Sequence, residues 1–380
     1  MVRDGATVVI DDGRILGITP RGGRLPTGCE RVRFPDSTLL PGLVDAHVHL
    51  CCDSAPGALE RLSELDEPEV EATIEDSLAA HRASGVTTVR DLGDRGWAVI
   101  DWRDRHADGT NLPTVVGSGP PITSPKGHCW NMGGEANGVD ELTRAVHERA
   151  ERRVDLVKVM ASGGAGTPGT DLFSPQFSVG ELRAVVEESH ARGLAVTAHA
   201  HALEAIRGAV AAGVDGIEHC SFLGPVGVDV DGVVVSDLIE SRIAVCPTLG
   251  MAPGVAPPPH VLELMRKAGV TYEGRVRTVG ALFRAGVRLV SGSDGGIDPG
   301  KPHGVLPRAV MSLVDGGIPA SDALASATSI AADACGLGAR KGRIRPGLDA
   351  DLVVVGGDPL TDIAALQNVR VVYIGGRRCE

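Results

Sequence analysis

The sequence predicts a closed barrel of eight parallel strands alternating with helices, a (β/α)8 fold, with a small β-sandwich assembled from both chain ends. Three observations predict it. The middle of the chain alternates apolar strand-like runs with helical segments, the pattern of a parallel sheet. Candidate strands lie near 43–49, 85–91, 113–119, 155–161, 194–200, 214–219, 242–248 and 287–294, and eight is the number such a barrel needs to close. The two ends hold only short strands, too few at either end for a stable sheet alone.

At the N-terminus, Thr7-Val8-Val9-Ile10 and Arg14-Ile15-Leu16-Gly17-Ile18 flank an Asp-Gly turn. At the C-terminus, Leu352-Val353-Val354-Val355 and Val369-Arg370-Val371-Val372-Tyr373-Ile374 are the matching apolar runs. The expected division is residues 1–40 plus 345–380 for the sandwich and 41–344 for the barrel. The run Leu39-Leu40-Pro41-Gly42-Leu43-Val44 reads as one buried strand leading into Asp45-Ala46-His47-Val48-His49. Residues two apart on a strand point the same way, so His47 and His49 project together, as two imidazoles must to hold one metal ion. Between strands, Ser178-Val179-Gly180-Glu181 has the spacing of a capping box. It opens a helix with Leu182, Val185 and Val186 on its buried face, and Gly193 is placed to end it. Leu203, Ile206 and Val210 form a second stripe, ending at Gly213.

Four later strands each carry one residue of unusual chemistry. Lys158 stands within Asp155-Leu156-Val157-Lys158-Val159-Met160, where a buried lysine is costly unless paired or chemically changed. His199 and His219 end the runs Leu194–His199 and Val214–His219, and Asp294 ends Val287–Asp294 ahead of Gly295-Gly296. Catalytic residues of a parallel barrel gather at the C-terminal strand ends.

In the order His47, His49, Lys158, His199, His219, Asp294, this set resembles the amidohydrolase superfamily. Gly85-Val86-Thr87-Thr88-Val89-Arg90-Asp91-Leu92-Gly93 and Val157-Lys158-Val159-Met160-Ala161-Ser162-Gly163-Gly164 are similar to the branch that holds Xaa-Pro dipeptidases, other dipeptidases and ochratoxinase-like amidases. The tail Gly342–Val354 is similar to the superfamily's usual ending. The resemblance implies a TIM barrel with a terminal β-sandwich and two divalent metal ions, zinc the expected element. It also implies that His47, His49 and Asp294 hold one ion, that His199 and His219 hold the other, and that Lys158 bridges them as a carbamate. A hydroxide between the ions then attacks an amide carbonyl, since a divalent ion lowers the pKa of bound water from ~16 to about 7. Asp294 gains a second role as the proton carrier between that hydroxide and the leaving nitrogen.

His128, in the Gly/Pro-rich loop Ser124-Pro125-Lys126-Gly127-His128-Cys129-Trp130, matches a family Gly-His pair that meets the substrate carbonyl, with Gly127 allowing a close approach. His201 shares a strand face with His199 and is expected beside the metals. Asp91 is expected to hydrogen-bond within the barrel mouth, and His303 to line the pocket. His81, His106, His147, His190 and His260 carry no signal beyond solvated side chains. Arg90 and Lys126 are the candidates for gripping a substrate carboxylate, and the Pro-rich loop Met251–Pro259 for shaping the entrance.

The expected reaction is hydrolysis of the C–N amide bond of an N-acyl amino acid or dipeptide-like substrate. The alternatives are hydrolysis of a cyclic amide, ureide or secondary metabolite, metal-dependent deamination, or a non-enzymatic scaffold. The intact ligand set argues against the scaffold, and Lys158 argues against a deaminase. A net charge of -12 argues against nucleic acid or an anionic membrane as partner and leaves a small-molecule substrate; self-association stays open. The eight cysteines show no CxxC pair, and the opening Met1–Gly5 lacks the apolar stretch of a signal peptide, so the expected location is the cytoplasm.

Overall fold

The computed structural model describes residues 5–107, 109, 111–224 and 226–379; residues 1–4 and 380 of the expected terminal unit lie outside them. The barrel strands are β1 Leu43–Val48, β2 Val86–Asp91, β3 Thr114–Gly117, β4 Leu156–Met160, β5 Ala195–Ala202, β6 Gly216–Gly224, β7 Ala244–Cys246 and β8 Arg288–Leu289. Every residue of β1, β2 and β4 is buried, as expected for parallel strands covered on both faces. Parallel ladders join β1 to β2 and β2 to β3, and run unbroken from β4 to β8. Two seams complete the barrel with isolated bridges in place of a continuous ladder. Ile122 N donates to Lys158 O (2.8 Å) and Met160 N to Ile122 O (2.8 Å) between β3 and β4. Asp294 N donates to His47 O (2.8 Å) and His49 N to Gly295 O (2.9 Å) between β8 and β1.

The run 39–44 is not one strand. Ser37–Pro41 pairs antiparallel with Leu352–Gly356 in the terminal sheet, and β1 starts two residues later. Gly42 is the handover. Its N–H donates to Asp351 O, and the next N–H, from Leu43, to Gly85 O. A Cβ at Gly42 would stand 2.0 Å from Thr87 Oγ1, so only glycine lets the chain cross β2 there. Uniform hydrophobicity hid a change of partner that backbone sterics impose.

The terminal sheet orders its strands as Arg377–Cys379, Val369–Ile374, Leu352–Gly356 and Ser37–Pro41. The hairpin Thr7–Asp11/Arg14–Thr19 joins it at Arg14 and Asp349. Ile15, Ala350 and Leu352 form a small core between them, packed with Val8, Ile10 and Leu39. The fold is thus a (β/α)8 barrel carrying a small β-sandwich made by both termini.

The helices follow their sequence signals. Ser178 caps Val179–His190 through a reciprocal bond pair with Glu181, and Leu182, Val185 and Val186 are buried. Gly213, at φ 85°, ends Leu203–Ala212. No helix among the described residues is long and apolar enough to cross a membrane.

Candidate metal centre

Alternation carried from His47 on β1 to His49, the residue just after it, sends both to one side, where Asp294, beyond the end of β8, meets them. Each Nε2 lies 3.3 Å from Asp294 Oδ1. The opposite ring nitrogens are occupied: His47 Nδ1 donates to Glu218 Oε2 (2.8 Å) and His49 Nδ1 to Gly93 O (3.2 Å). Such bonds fix the ring and its tautomer and leave Nε2 free for an ion. Burial alone would raise the Asp294 pKa, but the His47 and His49 imidazoles hold it far below the usual carboxylate range.

A second group stands beside the first. The His199 and His219 rings are 4.6 Å apart, and His219 is 5.2 Å from His47. His199 Nε2 donates to Gly163 O (3.1 Å), leaving Nδ1 free, and His219 Nδ1 shares a hydrogen bond with Thr248 Oγ1 (2.8 Å). His201 completes a triad with them and stacks on His219 at 4.6 Å. Burial lowers the pKa of all three, that of His201 to about 3, with Arg275 adding to its shift. They are therefore neutral, the state in which imidazole binds metal.

Lys158, on β4 between the groups' strands, is 1% exposed. Among the described residues its side-chain amine has no hydrogen-bond or ion-pair partner. Burial lowers its pKa, with Glu218 and Asp294 only partly opposing. Close-set neutral imidazoles, one ionised carboxylate and an unpartnered buried amine fit divalent ions with a preference for nitrogen and oxygen donors.

The sequence pattern of the amidohydrolase family matches residues 38–379. The chain belongs to the amidohydrolase family. An uncharacterized protein of Mycobacterium tuberculosis is 31% identical over 93% of this chain and 90% of its own length. Ochratoxinase of Aspergillus niger is 27% identical over 98% of this chain and 81% of its own. The crystal structure of a Xaa-Pro dipeptidase with methionine bound in its active site is similar, with a TM-score of 0.84 and 28% identity over 99% of this chain and 95% of that one. As a member of this family the protein is a hydrolase acting on C–N bonds.

In this amidohydrolase, His128 sits where its loop meets the second group. It is 8% exposed, and its ring is 4.5 Å from that of His199. Burial, followed by the nearby Lys158, pushes its pKa down to about 3. Gly127 has a different purpose from the one expected. A Cβ there would strike Thr123, Ser124 and Gln176, so the residue lets the loop pack on itself. It is Gly164 that makes room for the imidazole, since its Cβ would stand 2.3 Å from His128 Nε2.

Several functional side chains escaped sequence reasoning. Glu218 precedes a recognised histidine, yet only the folded barrel shows it accepting from His47, Arg90 Nη2 (2.9 Å) and Thr197 Oγ1 (2.6 Å). Burial would raise its pKa, but Arg90 and His47 hold it well below the ordinary value. Arg90 is consequently a buried structural cation, bonded also to Ala46 O, and not a substrate group. Lys126 is exposed. His81 is fully buried, facing His303 (3.1 Å) and Asp45 (3.8 Å), and is not solvated. His303 donates to Cys52 O (2.7 Å) and lines a cleft of about 300 Å³ toward the sandwich. Asp91 accepts from Leu50 N and Gly93 N inside the mouth, as expected.

One feature of the rim had no sequence signal. His219, Cys220, Phe222, Thr248 and Asp294 all adopt positive φ, from 47° to 66°. Non-glycine residues persist in that region only where surrounding contacts over-determine them, and such strain clusters at functional sites.

Proposed function

We propose that this amidohydrolase cleaves the amide bond of an N-acyl amino acid or dipeptide-like substrate bearing a free carboxylate. His47, His49 and Asp294 would hold one divalent ion, zinc by preference, and His199 and His219 the other, with Lys158 between them as a carbamate. The carbamate forms when the neutral Lys158 amine adds to the carbon of carbon dioxide and releases one proton. Burial favours that neutral amine. The ions would acidify water and polarise the scissile carbonyl.

The chain's own residues supply the rest. Asp294 is ionised and buried at the mouth, so its carboxylate takes the attacking water's proton and delivers it to the leaving nitrogen. His128 has a defined donor. Cys129 N donates to Thr167 Oγ1 (3.0 Å), and in the arrangement we propose the threonine's own proton turns to His128 Nδ1 (2.8 Å). That leaves the His128 proton on Nε2, available to the carbonyl oxygen as it gains charge.

The observation that carries the substrate reading is Arg275. This half-buried guanidinium bonds Ser221 Oγ (3.1 Å) and Pro247 O (2.8 Å) and, among the described residues, has no carboxylate partner. Ser221 in turn meets His201 Nδ1 (2.8 Å). A cation left without an acid beside the second histidine group suits a substrate carboxylate. The eight unpaired cysteines suit a reducing cytoplasm.

The test is a panel of N-acyl amino acids, their carboxamide counterparts and cyclic amides, assayed with the wild type and Arg275→Met. Free-carboxylate substrates should be turned over, and Arg275→Met should raise KM about 10- to 100-fold, the scale of one charge-assisted contact. Efficient cleavage of neutral cyclic amides by both proteins would overturn this reading.

A further inference from the structure

The ladder between β7 and β8 is short. It pairs Ala244 with Arg288 and Val245 with Leu289, and its last bond runs from Val290 N to Val245 O. Beyond it lie Thr248, which orients His219, and Asp294, which faces His47 and His49. Both adopt left-handed backbone, at φ 48° and 61°, a region unfavourable for a β-branched residue above all. On its other side the β8 end is fastened to β1, because Ser293 N and Oγ both donate to Asp45. Toward β7, among the described residues, the next backbone bond after Val290 N to Val245 O is Ala252 N to Gly300 O (2.9 Å), in the loops well past Thr248 and Asp294.

Lys301 spans that gap. Its Nζ donates to Thr248 O (2.6 Å) and to Ser293 O (3.1 Å). A tight turn sets it there, with Lys301 N donating to Asp298 O, Gly296 N to Lys301 O and Gly300 N to Asp298 Oδ1. Among the described residues no carboxylate pairs with this ammonium, so its hydrogen bonds are spent on two strand-end carbonyls. We propose that Lys301 is a positioning residue that clamps the ends of β7 and β8 together, holding Thr248 and Asp294 in the strained backbone that aims His219 and the Asp294 carboxylate at the metal centre. The proposal rests on reading His219 and Asp294 as metal ligands, and its test separates the two ideas.

The variants are Lys301→Met and Lys301→Arg, with Lys341→Met as a control for loss of a buried lysine remote from the mouth, where it pairs with Asp351. Amide hydrogen exchange of segments 244–250 and 290–296 in metal-free protein reads the clamp itself. Metal loss to a chelator and the kcat–KM split in the metal-loaded enzyme read its effect on the centre. Lys301→Met should speed exchange at both segments and release metal about 10- to 100-fold faster, the usual range for an outer partner of a ligand. It should lower kcat in the same range with KM little changed. Lys301→Arg should recover most of each loss, and Lys341→Met should lower Tm without moving exchange at the mouth or metal release. If Lys301→Met is insoluble, Lys301→Gln, which keeps a donor but no charge, is judged by the same criteria. Unchanged exchange in the variant overturns the clamp, and a higher KM at unchanged kcat would place Lys301 on the substrate instead. Absence of metal from wild type, with faster exchange in the variant, would overturn the metal reading and leave the clamp standing.

Discussion

The two histidine groups of the mouth live in different charge environments. His47 and His49 meet the ionised Asp294, and Glu218 backs His47 from behind. Asp294 outweighs burial at His49 and raises its pKa. Around His199, His201 and His219 the nearest outside ring is another neutral imidazole, His128, and the formal charge that acts most on them is cationic, Lys158 or Arg275, with Asp294 opposing it only at His201. A divalent ion in the first group finds its counter-charge in place. In the second group it does not, and a carbamate on Lys158 would supply one by turning an unfavourable cation into an anion. The difference gives the carbamate a physical motive independent of family resemblance.

The sharpest way to break this contrast is Glu218→Gln. It weakens the acceptor behind His47 and leaves the buried Arg90 without its counter-charge, an arrangement whose loss usually costs 3–5 kcal/mol. Affinity at the first group should fall about 10- to 100-fold while the second group keeps its ion longer, as followed by metal titration with thermal unfolding. Equal weakening of both groups would show that Glu218 supports the barrel as a whole.

A smaller effect is expected from acid. His47 titrates near 4 and His128 and His201 near 3 in the folded protein, against an ordinary 6.5, and His81, His199, His219 and His303 are lowered as well. The unfolded chain therefore takes up these protons first. Stability is full above pH 6.5 and is lost as pH falls toward about 4. Asp45 and Asp94, raised to about 7, Asp91, raised to about 6, and His49 and Asp298, also raised, pull the other way, but they are outnumbered by the lowered histidines. The urea midpoint of metal-free protein should drop between pH 7.5 and pH 5, values chosen to straddle the histidine range. Equal midpoints would mean that the imidazoles are protonated in the folded state and the second group is not ligand-ready.

The same contrast explains what the sequence revealed. His47, Lys158 and His199 sit on strands and His49 directly follows one, where alternation and an apolar background expose a lone ligand. The chain order of the strands was legible for the same reason. Glu218, Arg90, Arg275 and Lys301 each depend on at least one partner 53 or more residues away, such as Thr248 for Lys301 and Ser221 for Arg275, and no local pattern marks them. Gly42 shows the limit within a strand, since hydropathy does not say which sheet a residue joins. His81 carries no sequence signal of burial, since its helix position resembles any polar site and the cover over it comes from the distant loop that carries His303.

The most direct test of the account is the crystal structure of the active, metal-loaded enzyme, phased to show anomalous scatterers. The account predicts two ions per chain, one on His47, His49 and Asp294 and one on His199 and His219, with continuous density for a carbamate extending from Lys158 Nζ to both. A fully active enzyme with a single ion and an unmodified Lys158 amine would contradict it.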